Sequence, residues 1–254
     1  MAARSPFDLA GRAALVTGAN TGIGQGIALA LAEAGASVVA AGRSEMSDTL
    51  ALITQAGGTG HALQADLQQH GIADRVIAEA AELAGPLDIL VNNAGIIRRA
   101  DAIDFTETDW DEVMNVNLKA NFFLAQAFAK AALNAGRTGR IVNIASLLSF
   151  QGGIRVASYT ASKSGLAGLT KLLACEWAGK GINVNAIAPG YVESNNTQAL
   201  RADPDRNSAI LARIPAGRWG KPADIGGAAV FLASDAAAYM HGAVIPVDGG
   251  WLAR

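Results

Sequence analysis

The sequence predicts an α/β fold in which one doubly wound, parallel sheet of about seven strands has helices on both faces. Short, continuously hydrophobic runs alternate with longer segments rich in alanine and leucine. This alternation is typical of strands that are buried on both faces and joined by helices. A glycine-rich turn also links the first apolar run to the first helical segment, as expected where such a sheet binds a ligand.

Each predicted strand is a run of β-branched and aliphatic residues, and each predicted helix is a longer segment with apolar residues at helical spacing. Gly35 suits the end of the first helix, and Pro222 suits the first turn of the last one. We predict strands at residues 13–17, 37–41, 89–91, 140–145, 182–187 and 243–247, with a weaker one at 61–64. We predict helices at residues 22–34, 71–84, 109–133, 157–178 and 222–233.

The composition indicates a packed globular protein and excludes several functional classes. Of the 254 residues, 51% are hydrophobic and 17% are charged, which argues against disorder. A net charge of −2 gives no attraction to nucleic acid or to a membrane surface, so we expect neither partner. A single cysteine excludes an internal disulfide, and we predict no bound metal. Because we find neither a bilayer-spanning run nor a signal-peptide core, we expect a cytoplasmic protein.

No linker or internal repeat interrupts the chain, so we interpret residues 1–254 as a single domain. One segment, from about residue 191 to 218, departs from the alternation because it is long and polar. It follows a predicted strand end, where ligands bind in such sheets, and we interpret it as a lid over the substrate. The alternative is a surface excursion that only packs.

The turn after the first strand has the features of a site for a dinucleotide. Glycine lets the backbone approach a pyrophosphate, and the free N–H groups of a helix N-terminus attract an anion. The glycines occur in the order Gly-x-x-x-Gly-x-Gly between a predicted strand and a predicted helix. We therefore predict cofactor contacts from Gly18, Asn20, Thr21, Gly22, Ile23 and Gly24.

The end of the second strand leaves the choice between NAD(H) and NADP(H) open. An acidic residue often stands there and binds the ribose 2′-hydroxyl, but Gly42 occupies that place. Arg43 could instead pair with a 2′-phosphate or stack on adenine, and Glu45 could replace the missing acid in part.

Tyr159 and Lys163 are the main signal for catalysis, because their i, i+4 spacing places both on one face of a predicted helix. A free phenol has a pKa of about 10, and a neighbouring ammonium favours the phenolate. We therefore expect Lys163, together with a cationic nicotinamide ring, to lower the pKa of Tyr159 and make it an acid–base catalyst. Ser146, at a strand end, could bind the reacting oxygen, and Asn117 is a weak helix former whose place in a helix indicates a hydrogen-bonding role.

With Asn92-Asn93-Ala94-Gly95 after a later strand, these motifs resemble the short-chain dehydrogenase/reductase family over essentially the whole chain. The resemblance implies a Rossmann-type domain and an enzyme that moves a hydride between a nicotinamide dinucleotide and a carbonyl or alcohol carbon. It also implies a homotetramer, a proton relay from Asn117 through Lys163, and cofactor contacts from Tyr159 and Lys163. Further implied cofactor contacts are Asp66 and Leu67 near adenine, Asn93, Ala94 and Gly95 near the adenosine ribose, and Pro189, Gly190, Val192 and Ser194 near the nicotinamide.

Several loop sequences resemble the subgroup of this family that acts on deoxy- and keto-deoxygluconates, usually with NAD(H). A sugar acid offers a carboxylate, which suits a guanidinium, and several hydroxyls. Candidate carboxylate contacts are Arg98, Arg99 and Arg155, and candidate hydroxyl contacts are Ser146, Gln151, Asn195 and Asn196. A solvated charge or a subunit contact is the alternative for each arginine. Two alternative functions stay open: a reductase of a polyol, a gluconate or a 3-oxoacyl group, and a dinucleotide-binding sensor without turnover.

Overall fold

A computed structural model describes residues 5–254, so the first four residues of the predicted domain lie outside the description. The described residues form one sheet of seven parallel strands, in the order β3-β2-β1-β4-β5-β6-β7. Helices cover both faces of this sheet. The structure therefore confirms the predicted fold class.

The seven strands lie where the hydrophobic runs predict them, including the weaker third strand. The sixth strand runs two residues further than predicted because Ala188 and Pro189 continue its pairing with the last strand. The strands are β1 (Ala13–Thr17), β2 (Ser37–Gly42), β3 (Thr59–Gln64), β4 (Ile89–Asn92), β5 (Gly139–Ile144), β6 (Ile182–Pro189) and β7 (Val244–Val247).

The helices differ from the prediction at three places. A helix at 47–55 and two helices in the lid were not predicted, because their short, polar sequences carry little helical periodicity. The segment predicted as one helix at 109–133 is interrupted by a π-helix, Asn115–Ala120. The α-helices are α1 (Gly22–Glu33), α2 (Ser47–Gln55), α3 (Ile72–Ala84), α4 (Glu107–Met114), α5 (Asn121–Asn134), α6 (Ala157–Trp177), α7 (Gln198–Ala202), α8 (Pro204–Arg213) and α9 (Pro222–Ala233).

The sheet has a hydrophobic core on each face. One core contains buried residues of α3, α5 and α6, and the other contains buried residues of α1, α2 and α9. The strand order reverses between β1 and β4, because β2 and β3 lie on one side of β1 and the later strands lie on the other. Parallel strands present all their carboxyl ends at one edge, so this reversal opens a crevice there.

The helices α1 and α9 pack closely because glycines face each other's backbone and small side chains. A Cβ on Gly26 would lie 2.7 Å from Pro222 Cβ, and a Cβ on Gly226 would lie 2.6 Å from Ala30 Cβ. No real Cβ tolerates such contacts, so a methyl group at either position must push the two helices apart.

We predict that Gly226→Ala lowers the free energy of unfolding by about 1–3 kcal/mol, because the added methyl overpacks this contact. The neighbouring Gly227 is a matched control on the same helix, since a Cβ there would have no neighbour within 4 Å. We expect Gly227→Ala to gain up to about 1 kcal/mol from helix propensity alone. Urea denaturation of both variants measures the difference, and equal stabilities would contradict the packing argument.

Candidate active site

The carboxyl ends of β1, β2 and β4 border a cavity of about 150 Å³ on the β1 side of the crevice. Its walls come from the turn after β1, the end of β2, the residues after β3 and the loop after β4. They include the predicted cofactor residues Gly18, Asn20, Arg43, Asp66, Leu67, Ala94 and Gly95. The structure thus brings together seven residues that lie far apart in the sequence.

The glycine turn has the shape and the free donors that a pyrophosphate requires. Gly18 and Gly22 both have positive φ angles, 64° and 58°, and a Cβ on Gly24 would collide with the carbonyl oxygen of Gly18. Thr21 precedes α1 without capping it through its side chain, and the first turn of α1 has no acidic residue. The N-terminus of α1 is therefore open to an anion, and these residues fit a dinucleotide.

Asn93 supports the glycine turn from behind. Its side-chain amide donates to the carbonyl oxygens of Thr17 at 2.9 Å and Gly18 at 3.0 Å. The resemblance implied a contact with the adenosine ribose, whereas the structure uses both N–H groups of this amide to hold the turn. Ala94 and Gly95, the next two residues, line the cavity instead.

The residues implied for the nicotinamide lie after β6, on the other side of the crevice. Pro189 and Gly190 line a second cavity, and Val192 is buried just beyond them. Ser194 faces the glycine turn, since a Cβ on Gly22 would lie 3.3 Å from Ser194 Cβ. Ile23, the remaining residue of the predicted turn, packs against the core on the α1 face.

The second cavity, of about 200 Å³, holds the predicted catalytic side chains. Ser146 follows the end of β5, and Tyr159 extends from α6 into the same cavity. Both hydroxyl-bearing side chains therefore line one cavity. Helices α7 and α8, from the segment 191–218, and the loop after β5 contribute to its walls. The other lining residues and those of these elements are Ile97, Arg99, Leu147, Leu148, Gln151, Gly153, Ile154, Val156, Pro189, Gly190, Tyr191, Asn196, Thr197, Leu200 and Arg206.

Lys163 lies one helical turn after Tyr159 and is only 3% exposed. Its Nζ donates to the carbonyl oxygen of Ile144 at 2.6 Å and lies 5.6 Å from the centre of the Tyr159 ring. Burial lowers the pKa of Lys163 to about 8, because desolvation penalises the ammonium. The ammonium is therefore held in a site where it exchanges its proton near neutral pH.

The pKa of Tyr159 is raised from its ordinary value, mainly because burial disfavours the phenolate. The hydrogen bond with Ser146 and the positive charge of Arg99 act in the opposite direction. The sequence predicted a net lowering by Lys163 and a cationic nicotinamide ring. For the chain by itself that prediction is wrong, because desolvation outweighs the nearby positive charge.

Asn117 sits at the π-helix, where the predicted long helix changes its hydrogen bonding. Its side chain accepts from the Ile96 amide at 2.8 Å and donates to the Ile96 carbonyl at 2.9 Å. A further bond joins its Nδ2 to Ser162 Oγ on α6 at 3.3 Å. Asn117 thereby ties the loop after β4 to the helix that carries Tyr159 and Lys163, which agrees with the hydrogen-bonding role that the sequence indicated.

The structure separates the predicted substrate residues into two groups. Gln151 and Asn196 line the cavity with Ser146, whereas Arg98, Arg155 and Asn195 do not. Arg98 pairs with Glu112 at 2.7 Å, and Arg155 pairs with Asp101 at 3.1 Å. Their guanidinium groups are already engaged by carboxylates, so we do not retain these two arginines as substrate contacts.

Arg99, the third predicted carboxylate contact, and Arg206 do line the cavity. Arg99 lines it and donates from Nη2 to the Asn196 carbonyl at 3.0 Å, which links the loop after β4 to the lid. Arg206, on lid helix α8, was not singled out by the sequence. The sequence could have indicated Arg206 only as a cation on the inward face of a helix, and the polar sequence of this segment did not predict that helix.

Among residues 5–254, every helix is too short or too polar to span a lipid bilayer. Among the same residues, no three His, Cys, Asp or Glu side chains are grouped so that they could hold a metal ion.

A family model described as enoyl-(acyl carrier protein) reductase matches residues 18–252, which is most of the chain. The chain belongs to the short-chain dehydrogenase/reductase family. It is therefore an oxidoreductase with a dinucleotide cofactor, and the family predicted from the motifs is confirmed.

Relatives in this family are similar over nearly their whole length. The chain is 56% identical to the 2-dehydro-3-deoxy-D-gluconate 5-dehydrogenase of Escherichia coli, with 98% of this chain and 99% of the relative covered. A proposed 2-deoxy-D-gluconate 3-dehydrogenase from Agrobacterium tumefaciens, solved with bound NADP, is 66% identical with a TM-score of 0.95, covering 99% and 100% of the two chains. A proposed NAD(P)-dependent gluconate 5-dehydrogenase from Beutenbergia cavernae, also with bound NADP, is 54% identical with a TM-score of 0.94, covering 98% and 100%.

We predict that Lys163→Met changes the pH dependence of stability. The pKa of Lys163 is about 8 in the folded state, and its ordinary value is 10.5. As the pH falls from 10.5 to 8, Lys163 is therefore protonated in the unfolded chain before it is protonated in the folded chain. Burial of the ammonium therefore costs the folded state stability that is regained as pH rises through this window. The difference in the free energy of unfolding by which Lys163→Met exceeds the parent should shrink by about 2 kcal/mol between pH 7 and pH 9.5.

Urea denaturation at both pH values measures this change. The lost hydrogen bond to Ile144 does not depend on pH and cancels in the comparison. Lys171, exposed on the same helix, supplies the control variant Lys171→Met, which should show no such trend. A constant difference between Lys163→Met and the parent would show that the ammonium is not desolvated.

Proposed function

We propose that this protein is an NADP(H)-dependent dehydrogenase that interconverts a secondary alcohol and a ketone on a sugar acid. The substrate class is that of 2-deoxy-D-gluconate 3-dehydrogenase or 2-dehydro-3-deoxy-D-gluconate 5-dehydrogenase, in uronate breakdown. The observation that carries the proposal is one cavity lined by the hydroxyl-bearing side chains of Ser146 and Tyr159 and by Arg99. The names of relatives that are 54–66% identical support the same class.

In the proposed reaction the side chains bind and move a proton at the substrate oxygen. The glycine turn and the residues after β6 would hold the cofactor, which would supply or accept the hydride at the neighbouring carbon. Ser146 donates a hydrogen bond to the reacting oxygen and fixes its position. Tyr159 protonates that oxygen during reduction and removes the alcohol proton during oxidation. Lys163, whose Nζ lies 5.6 Å from the centre of the Tyr159 ring, would supply positive charge beside the phenolate once the cofactor is bound.

The residues at the end of β2 support NADP(H) over NAD(H). The cavity wall there consists of Gly42, Arg43 and Ser44, without an acid to bind a ribose 2′-hydroxyl. Arg43 is exposed, and its guanidinium can pair with a 2′-phosphate from the edge of the cavity. Two similar solved structures contain NADP, which agrees with this choice. The subgroup resemblance had leaned towards NAD(H).

The two arginines in the substrate cavity support an acidic substrate. A carboxylate binds a guanidinium through paired, charge-assisted hydrogen bonds, and Arg99 and Arg206 both line the cavity. Gln151 and Asn196 add polar groups that can bind hydroxyls. An acyl thioester, suggested by the description of the matched family model, would gain little from these cations.

A homotetramer and a cytoplasmic location are proposals that rest on the resemblance. Large apolar side chains on three neighbouring helices support association: Trp110 on α4, Phe123 on α5 and Leu172 on α6 are each at least 40% exposed. Apolar surface of this kind is commonly covered in oligomers. Sedimentation of the purified protein measures the state directly.

We predict that the protein oxidises or reduces a deoxy- or keto-deoxygluconate faster with NADP(H) than with NAD(H). A panel of sugar acids, polyols and 3-oxoacyl thioesters, assayed by cofactor absorbance, tests the function. Preference for a thioester, or cofactor binding without any turnover, would contradict the proposal.

We predict that Tyr159→Phe lowers kcat by about 10²–10⁴-fold, because it removes the proton donor but keeps the ring. Quenching of cofactor fluorescence should show that this variant binds the cofactor within about twofold of the parent.

We predict opposite outcomes for two adjacent arginines. Arg99→Gln should raise KM for the sugar acid about 10–100-fold, because a charge-assisted hydrogen bond to the carboxylate is lost. Arg98→Gln is the matched control and should leave KM within about twofold, since Arg98 already pairs with Glu112. Steady-state kinetics measures KM of both variants for the sugar acid and for the neutral sugar alcohol. An equal rise in KM for the acid and for the alcohol in Arg99→Gln would show that Arg99 only holds the lid and does not bind the carboxylate.

A further inference from the structure

Trp251, near the C-terminus, joins the lid to the substrate cavity. It is 4% exposed and belongs to a small hydrophobic cluster with Leu147 and two lid residues, Ile210 and Ile214. Its ring packs 4.7 Å from the ring of Tyr191, a cavity residue, and the guanidinium of Arg213 lies 4.0 Å above its centre. The indole is therefore fixed between the lid helix and the strand end below it.

The segment that carries Trp251 is itself held in place. Asp248 accepts from the backbone amides of Gly250 and Leu252, both at 2.9 Å. Arg254 donates to the carbonyl oxygen of Ala212 on the lid helix at 2.6 Å. These bonds at both ends of the turn leave the indole with one orientation relative to the cavity.

The indole nitrogen donates a hydrogen bond to Gln151 Oε1 at 3.1 Å. An indole N–H can only donate, whereas a carboxamide has one accepting oxygen and one donating NH2 group. The bond therefore determines which end of the Gln151 amide faces Trp251. The NH2 group must lie on the other side, and Gln151 lines the cavity that contains Ser146 and Tyr159.

We propose that Trp251 is a positioning residue that orients Gln151 so that its NH2 group donates to an oxygen of the substrate. The proposal rests on the proposed function, because it concerns the same cavity. It adds a specificity rule: the substrate presents an acceptor, a carboxylate or hydroxyl oxygen, at the position of Gln151. A rotated amide would present its oxygen there and repel a carboxylate.

The test compares two tryptophans of the same hydrophobic cluster whose indoles donate to different side chains. Trp251→Phe keeps the aromatic packing but removes the bond to Gln151. Trp219→Phe, in the same cluster, removes a bond of 2.7 Å to Asn207, which does not line the cavity. We expect Trp251→Phe to raise KM for the sugar acid about 5–10-fold with kcat and cofactor KM within about twofold. Trp219→Phe should leave KM unchanged even if it lowers the melting temperature.

A double-mutant cycle shows whether Trp251 acts through Gln151. If it does, Trp251→Phe raises KM in the parent but not in the Gln151→Met background. Gln151→Glu keeps an acceptor for the indole but replaces the donor, so it should impair the acid substrate more than Gln151→Met does. Additive effects of Trp251→Phe and Gln151→Met, or equal KM values for Trp251→Phe and the parent, would overturn the proposal.

An NMR measurement separates this proposal from the proposed function. The protein has four tryptophans, so the indole N–H resonances can be assigned by substitution. The Trp251 resonance should shift in Gln151→Met, whether or not any substrate is turned over, and an unchanged resonance would refute the orienting bond. If no sugar acid reacts with the parent but the resonance shifts, the proposed function fails while the orientation of Gln151 holds.

Discussion

The burial of the Lys163 ammonium is the constraint on which the active site depends. Its Nζ has the carbonyl oxygen of Ile144 at 2.6 Å, and the side chain is almost fully enclosed. A buried charge is costly, and a charge that has one close acceptor persists only where the surrounding structure is rigid. The end of β5 supplies that rigidity, because Ile144 pairs with Ile187 on the neighbouring strand β6. Ser146 follows two residues later, so the strand that accepts from Lys163 also positions the hydroxyl beside Tyr159.

The fold was predictable because its signal is repeated along the chain. Most of the strands are largely apolar, and parallel strands with right-handed connections permit few other arrangements. The catalytic side chains were predictable for the same reason, since they stand at strand ends or at helical spacing on α6. The third strand was the weakest signal, because alternate residues such as Ala62 and Gln64 are exposed at the edge of the sheet.

Side-chain direction was not predictable from the sequence. Arg98 and Arg99 are neighbours in an extended loop, so they point to different sides, and only the position of Glu112 on α4 decides which one is paired. The bond between Trp251 and Gln151 joins residues 100 positions apart and leaves no local pattern. The change in the Tyr159 pKa was missed because desolvation depends on the completed packing and not on the spacing of Tyr159 and Lys163.

The close contact between α1 and α9 also affects how the chain reaches its folded state. Gly26 and Gly226 lie 200 positions apart, yet each fits against the other helix. During synthesis the first helix therefore leaves the ribosome long before the surface that covers it exists. Contacts of such high sequence separation slow folding and leave apolar residues exposed in the meantime. A nascent chain that ends before α9 therefore leaves this face of α1 without the helix that covers it.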